Sequence, residues 1–124
     1  MYMNFILKKI VLPAVILLAL DFIYISANRT AFENQVIEIQ RVALKLRIWP
    51  AILCYIFLIF GLYYFILRTN RSVFEAFLFG LVIYGVYETT NYAMLKKWKL
   101  NIAIMDTLWG GTLMALTTAI IYMI

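Results

Sequence analysis

Residues 48–67 read IWPAILCYIFLIFGLYYFIL, a run of twenty residues that contains no charged side chain. At a rise of about 1.5 Å per residue, a helix of this length covers about 30 Å, the thickness of the hydrocarbon core of a bilayer. Pro50 stands in the first turn, where its missing N–H leaves no helical hydrogen bond unmade. The segment therefore predicts a transmembrane helix that begins near Ile48.

Three more segments are of similar length and apolar character, at about residues 10–27, 73–95 and 102–124. Of the 124 residues 66% are hydrophobic and only 14% are charged, whereas soluble domains carry about 25% charged residues. This composition leaves too few polar residues to coat a soluble core. The sequence predicts an all-α integral membrane four-helix bundle, multi-pass, in a single transmembrane domain over residues 1–124.

The connections between the spans differ in length. Arg68–Ser72 and Lys96–Asn101 are short, so the helices on either side of each must be antiparallel neighbours. The first connection is long, and apolar residues recur in it at intervals of three and four. That stripe comprises Phe32, Val36, Ile39, Ala43 and Leu46. It predicts an amphipathic helix in the membrane interface over about residues 31–46, and a solvated loop is the alternative.

The net charge of +5 comes from basic residues in the segments that flank the apolar runs. There they anchor helices to lipid headgroups, so membrane lipids and not nucleic acids are the expected partners. The N-terminus and the second connection carry four of them, and the first and third connections carry seven: Arg29, Arg41, Lys45, Arg47, Lys96, Lys97 and Lys99. The positive-inside rule therefore predicts that both termini lie on the non-cytoplasmic side.

Three acidic residues, Asp21, Glu88 and Asp106, lie inside the predicted spans, and no Lys or Arg lies clearly within the spans to pair with them. A carboxylate near mid-membrane costs at least about 2.5–3.5 kcal/mol on insertion scales. Counting from the helix ends at about 1.5 Å per residue places all three about 6–10 Å inside the same leaflet, on the side of the long connection. This agreement in depth predicts one shared site.

Polar and aromatic residues surround these acids at matching depth. On the third helix Tyr84, Tyr87, Glu88 and Asn91 share one face by helical spacing. The members of the predicted intramembrane site are Asp21, Tyr24, Tyr55, Tyr84, Tyr87, Glu88, Asn91, Asp106 and Trp109. Two alternatives stay open: the acids form a structural hydrogen-bond network, and the aromatic residues form only an interfacial belt.

Metal and cofactor chemistry is not expected from these residue types. The chain has no His, the commonest metal ligand and acid–base group. The single Cys54 lies in an apolar run, which is typical of a small buried hydrophobe. Three carboxylates suit a hard divalent cation, but no DxxD or ExxH spacing supports such a site. No catalytic residue set is recognisable.

Several of these residues fall in a pattern that resembles a known family. Tyr84–Asn91 (YGVYETTN) followed by Asp106–Gly110 (DTLWG) resembles the hallmark of the domain of unknown function 2177 family of small predicted membrane proteins. Leu20-Asp21-x-x-Tyr24 and Pro50-x4-Tyr55 also resemble that family. Glu88 stands where the family more often has Asp. The resemblance implies a four-helix membrane protein without an established activity. Bacterial members of the family are often encoded near lipid-modifying genes, which implies a link to lipid metabolism.

Three classes of function fit this sequence. The favoured hypothesis is a non-enzymatic membrane protein whose carboxylate pocket binds a proton, a cation or a cationic headgroup, and transport or permeation is one role that such a pocket can serve. The second is a lipid-modifying membrane enzyme or its subunit, with Glu88 and Asp106 as an acid–base pair. The third is a scaffold or accessory protein. A homo-oligomer or a membrane partner protein is compatible with all three.

Overall fold

Five helices make up the described part of the chain. The computed structural model describes residues 6–40 and 47–124, with side chains over 6–37 and 47–124. The helices are α1 (Leu7–Ala27), α2 (Arg29–Gln40), α3 (Ile48–Leu67), α4 (Val73–Met94) and α5 (Leu100–Met123). All except α2 are long and apolar enough to cross a membrane. The prediction of an all-α membrane bundle with four spanning helices is confirmed, although α1 begins earlier than expected.

The long first connection contains α2, which follows α1 after a turn at Asn28. Phe32 and Val36 of the predicted apolar stripe are half-buried. Gln35, which was not part of that stripe, is the buried residue between them. The remaining stripe members, Ile39, Ala43 and Leu46, lie outside the described side chains. Over Arg29–Gln40 the connection is therefore helical, as predicted, and turns one face toward the bundle.

The hairpin of α4 and α5 is the most closely packed part of the bundle. A Cβ atom at Gly80 would lie only 2.0 Å from the carbonyl oxygen of Gly110, so the two backbones touch where both residues lack a side chain. The buried residues of α4 are Ala76, Gly80 and Glu88, which are spaced by multiples of four. This i±4 ridge faces α5. Small residues thus bring the helices close, and Glu88 lies on the face that they bury.

An apolar layer crosses the middle of the bundle, where α1, α3 and α5 meet. Its members are all buried: Leu17, Leu58, Leu62, Leu113 and Met114. Cys54 also belongs to α3 but is exposed on its outer face, so the expectation that it is buried is wrong. The outer surfaces of the helices are rich in exposed apolar side chains, as is expected of surfaces that face lipid.

The end of the bundle opposite α2 is joined by polar contacts. The Lys9 ammonium group donates to the carbonyl oxygen of Leu67 at 2.6 Å and to the Asn70 side-chain oxygen at 2.7 Å. The Tyr122 hydroxyl donates to the carbonyl oxygen of Arg71. These bonds fix the start of α1 and the end of α5 against the turn between α3 and α4. The two ends of the bundle therefore differ, since only the other end carries α2.

Candidate functional site

Three carboxyl groups lie inside the bundle, in the half that is nearer to α2. Asp21 of α1 is 4% exposed, Glu88 of α4 is 1% exposed and Asp106 of α5 is 9% exposed. We call these three side chains the carboxyl cluster. Burial of acids at this depth is expensive unless their oxygen atoms find hydrogen-bond donors. The partners of each acid therefore define the site.

Asp21 receives hydrogen bonds from two other helices. The hydroxyl group of Tyr55 on α3 donates to Oδ2. The indole N–H of Trp109 on α5 donates to Oδ1 at 2.9 Å. Both carboxylate oxygens are thus bonded by neutral donors, and the side chain ties α1, α3 and α5 together. Trp109 lies one turn of α5 beyond Asp106, which brings the second acid close to the first.

Asp106 and Glu88 contact each other. The Tyr24 hydroxyl donates to Asp106 Oδ1 at 3.2 Å. The carboxyl groups of Asp106 and Glu88 lie within hydrogen-bonding reach of each other, and the indole N–H of Trp98 donates to Glu88 Oε1 at 2.8 Å. Since an ionised carboxylate only accepts hydrogen bonds, a bond between two carboxyl groups requires a proton on one of them.

Tyr24 connects the two parts of the carboxyl cluster. Its ring stacks on Trp109, with the ring centroids 4.6 Å apart and the planes 6° from parallel. Its hydroxyl bonds Asp106 while its neighbour Trp109 bonds Asp21, and Tyr24 lies within electrostatic reach of all three acids. Phe32 of α2 packs edge-on against the same tyrosine, with the two ring centroids 5.8 Å apart. The acids and aromatic residues therefore form one continuous network.

The turn between α4 and α5, together with α2, covers the network at the membrane surface. Trp98 comes from this turn, and its neighbour Lys97 accepts a hydrogen bond at its carbonyl oxygen from Gln35 Nε2 at 3.0 Å. Gln35 is 1% exposed, and its Oε1 atom has no hydrogen-bond partner among the described residues. A single chain of contacts thus joins α2, the turn and Glu88.

The residues predicted for the site differ in where the structure places them. Tyr24, Tyr55 and Trp109 bond the acids directly. The ring of Tyr84 packs against Gly110, within electrostatic reach of Asp21 and Asp106.

Two predicted members do not join the network. Asn91 is half-buried, and no hydrogen bond among the described residues joins its side chain to an acid. Tyr87 is 57% exposed, so most of its side chain lies on the outer surface of the bundle. The i±4 ridge of Gly80 and Glu88 faces α5, and Tyr87, one residue before Glu88, is turned by about 100° from it along the helix.

Sequence reasoning missed Trp98 and Gln35 as members of the site. Trp98 lies in the short KKWKLN connection, where an aromatic residue is ordinarily an interfacial anchor. Gln35 is a polar residue between Phe32 and Val36, on the side of α2 that the apolar stripe marks as buried. A buried position that carries an amide was therefore a usable signal, because a buried amide needs a partner.

The described partners of the carboxyl cluster are uncharged. Tyrosine hydroxyls and tryptophan N–H groups surround it, while the ion pairs of the described residues are Arg29–Glu33 and Arg71–Glu75 at the surface. Within the described residues, no group of three acidic or cysteine side chains is placed so that it could hold a metal ion. Chemically, the cluster can hold a proton between Glu88 and Asp106, while both oxygens of Asp21 accept hydrogen bonds from neutral donors.

An apolar groove of about 620 Å³ runs along the outer side of α1 and reaches the network. It is lined by α1 between Leu18 and Ser26 and by Tyr55 of α3. Tyr55 is also the donor to Asp21. The groove therefore brings the lipid-facing surface of the protein within one side chain of a buried carboxyl group.

Comparison with known proteins gives one relationship. No curated protein and no solved structure matches the chain. The model of a family described as predicted membrane protein (DUF2177) matches residues 6–123, which include all five helices and every residue of the carboxyl cluster. The chain therefore belongs to the DUF2177 family of predicted membrane proteins.

Proposed function

We propose that this membrane protein is a non-enzymatic proton-binding protein, in which the carboxyl cluster takes up and releases a proton on the side of the membrane that carries α2. The observation that supports this function best is that the buried carboxyl groups of Glu88 and Asp106 lie within hydrogen-bonding reach of each other inside the bundle. Two such groups in contact bind a proton between them, and uncharged donors hold both in place.

Electrostatics favours a proton as the bound species. Two adjacent carboxylates that are both ionised repel each other strongly in a medium of low dielectric constant. A proton on one of them removes a negative charge and supplies the missing donor. A bulkier cation would have to break the contact between the two groups and then find several oxygen ligands at once.

The packing supports exchange from one side only. The apolar layer of Leu17, Leu58, Leu62, Leu113 and Met114 separates the cluster from the end of the bundle that contains Lys9. Toward the other surface the cluster is covered by Trp98 and by α2, which Gln35 attaches through one described hydrogen bond. Under the orientation that the basic residues favour, the exchanging side is the cytoplasmic side.

Infrared spectroscopy of the purified protein in lipid tests proton binding directly. We expect the absorption of a protonated carboxyl group at neutral pH in the wild type, and its loss in Glu88→Gln. The substituted amide can still accept from Trp98 and donate to Asp106, so the change keeps the fold while it removes the shared proton. Glu75→Gln is the matched control, because Glu75 is a surface acid whose capping box with Ser72 tolerates glutamine.

A protonated-carboxyl band that is the same in Glu88→Gln as in the wild type would overturn this assignment. Loss of the band in Glu75→Gln as well would show that the signal comes from elsewhere in the protein. A wild type without any such band would favour the alternative in which the acids only accept hydrogen bonds that tie the helices together.

Reconstitution into liposomes separates proton exchange from transport, catalysis and scaffolding. We expect an imposed pH gradient to persist in vesicles with wild-type protein, because the apolar layer interrupts any polar path. Gradient decay in the wild type that disappears in Glu88→Gln would show transport and refute one-sided exchange. A persistent gradient, no lipid product and no protonated carboxyl group would leave the scaffold hypothesis.

One observation favours a lipid-modifying enzyme as the second candidate. The apolar groove along α1 ends at Tyr55, whose hydroxyl bonds Asp21, so a lipid in the groove would meet an acid–base pair. Mass spectrometry of the lipids extracted from the same vesicles tests this possibility. A product that requires Tyr55 and Asp21 would establish catalysis. Membrane lipids are the partners in either case, and neither function requires a second copy of the chain.

A further inference from the structure

We propose that the groove between α1 and α3 binds a single-chain lipid amine, with its ammonium group at Tyr55 and Asp21 and its hydrocarbon chain along α1. This goes beyond proton exchange, because it assigns a ligand class to Asp21. It does not depend on the pair formed by Glu88 and Asp106. The inference starts from the lipid-exposed groove, which reaches a residue of the network.

The hydrogen bonding of Tyr55 determines what kind of group it can recognise. A tyrosine hydroxyl has one proton, and Tyr55 donates it to Asp21 Oδ2. Toward a ligand the oxygen can then act only as an acceptor. A group in the groove must therefore bring its own proton, which selects amines and alcohols and excludes carboxylates, phosphates and carbonyl groups.

Charge selects an ammonium group from among these donors. The described donors to Asp21, Tyr55 and Trp109, are neutral, and neither of the described ion pairs involves this acid. A cation at the Tyr55 oxygen lies one hydrogen-bonded atom away from this carboxyl group. A hydrogen bond with one ionised partner, such as an ammonium group that donates to the Tyr55 oxygen, is about twice as strong as a bond between neutral groups. The ring faces of Tyr55 and Phe22, which both line the groove, also attract cations.

The shape of the groove suits one hydrocarbon chain. Its volume of about 620 Å³ falls in the range of small-molecule sites, about 300–1,000 Å³. The wall contributed by α1 between Leu18 and Ser26 is apolar apart from Ser26, which lies near the membrane-surface end of the helix. A chain whose ammonium group lies at the level of Tyr55 follows this wall past Leu18 and extends beyond it toward the middle of the bilayer.

Binding of labelled hexadecylamine to the protein in phosphatidylcholine nanodiscs tests the assignment, with hexadecanol and palmitate as matched probes. We expect saturable binding of the amine, weaker binding of the alcohol and none of the acid. Tyr55→Phe should weaken amine binding by about tenfold, which corresponds to the loss of about 1.4 kcal/mol. Tyr87→Phe, at an exposed tyrosine that does not line the groove, should leave amine binding unchanged.

Two further variants test whether the groove itself is the binding site and whether amine binding is independent of proton exchange. Ala19→Trp fills the groove from a lipid-exposed position and should abolish saturable binding without disturbing the core. Glu88→Gln should retain amine binding, so failure of proton exchange and failure of lipid binding are distinguishable. Equal binding of the three probes would overturn the assignment. Wild-type affinity in Tyr55→Phe, or binding no greater than to empty nanodiscs, would do the same.

Discussion

Gly80→Ala is the substitution whose effect follows most directly from the packing of α4 against α5. The new Cβ atom would lie 2.0 Å from the Gly110 carbonyl oxygen, about 1.4 Å closer than the 3.4 Å at which ordinary contact begins. It would also lie 2.7 Å from the Gly110 carbonyl carbon and 2.7 Å from Met114 Cγ. The nearest atoms belong to backbone, so no rotation of a side chain relieves the overlap, and the two helices must separate.

The expected cost is at the upper end of the range for overpacked cores, which is about 1–3 kcal/mol. The separation also affects the site, since Glu88 lies on the same ridge as Gly80 and Asp106 lies one turn before Gly110. Moving the helices apart weakens the interaction between the two carboxyl groups. We therefore expect a lower free energy of unfolding and, in the same variant, a weaker infrared band of the protonated carboxyl group.

Gly85→Ala provides the matched control on the same helix. A Cβ atom there would meet only Thr107 Cγ2, at 3.5 Å, which is ordinary van der Waals contact. The helix propensity of alanine makes this change neutral or stabilising by up to about 1 kcal/mol. Unfolding of both variants in lipid–detergent mixtures gives the comparison. If Gly80→Ala is as stable as Gly85→Ala and keeps its infrared band, close backbone contact does not hold the site together.

Two other substitutions test how the site is covered. Trp98→Phe removes the donor to Glu88 Oε1 and should lower the free energy of unfolding by about 1–3 kcal/mol. The control Trp49→Phe, at the exposed start of α3, should leave it unchanged. Equal unfolding free energies for the two variants would contradict a role for the Trp98 indole N–H. Gln35→Ala removes the bond to the Lys97 carbonyl oxygen, so amide hydrogens of α2 should exchange up to about tenfold faster while those of α4 keep their rates. Unchanged exchange in α2 would show that Gln35 does not hold this helix in place.

The depth of the acids could be predicted from the sequence because helix geometry is regular. An uncharged run such as Ile48–Leu67 is stable in a bilayer as a helix, because a helix forms the hydrogen bonds of its backbone N–H and C=O groups within the segment. Once the helices and their alternating directions are known, counting residues from a helix end gives the depth of a side chain below the membrane surface. This count predicts that Asp21, Glu88 and Asp106 lie in the leaflet of the long connection. The network that joins them in the structure lies in that half of the bundle.

Which side chains meet inside the leaflet depends on how the helices pack against one another. Helical spacing put Tyr87 and Glu88 on a broad common face, but the contact between Gly80 and Gly110 sets the rotation of α4, which buries Glu88 and leaves Tyr87 exposed. Trp98 bonds Glu88 because the turn after α4 folds back over the helix end. The spans, and the prediction of how deep the acids lie, follow from the sequence because each needs only the position of a residue along one helix. Rotation and contact depend on the close packing of two helices, which a pattern along one chain segment does not contain.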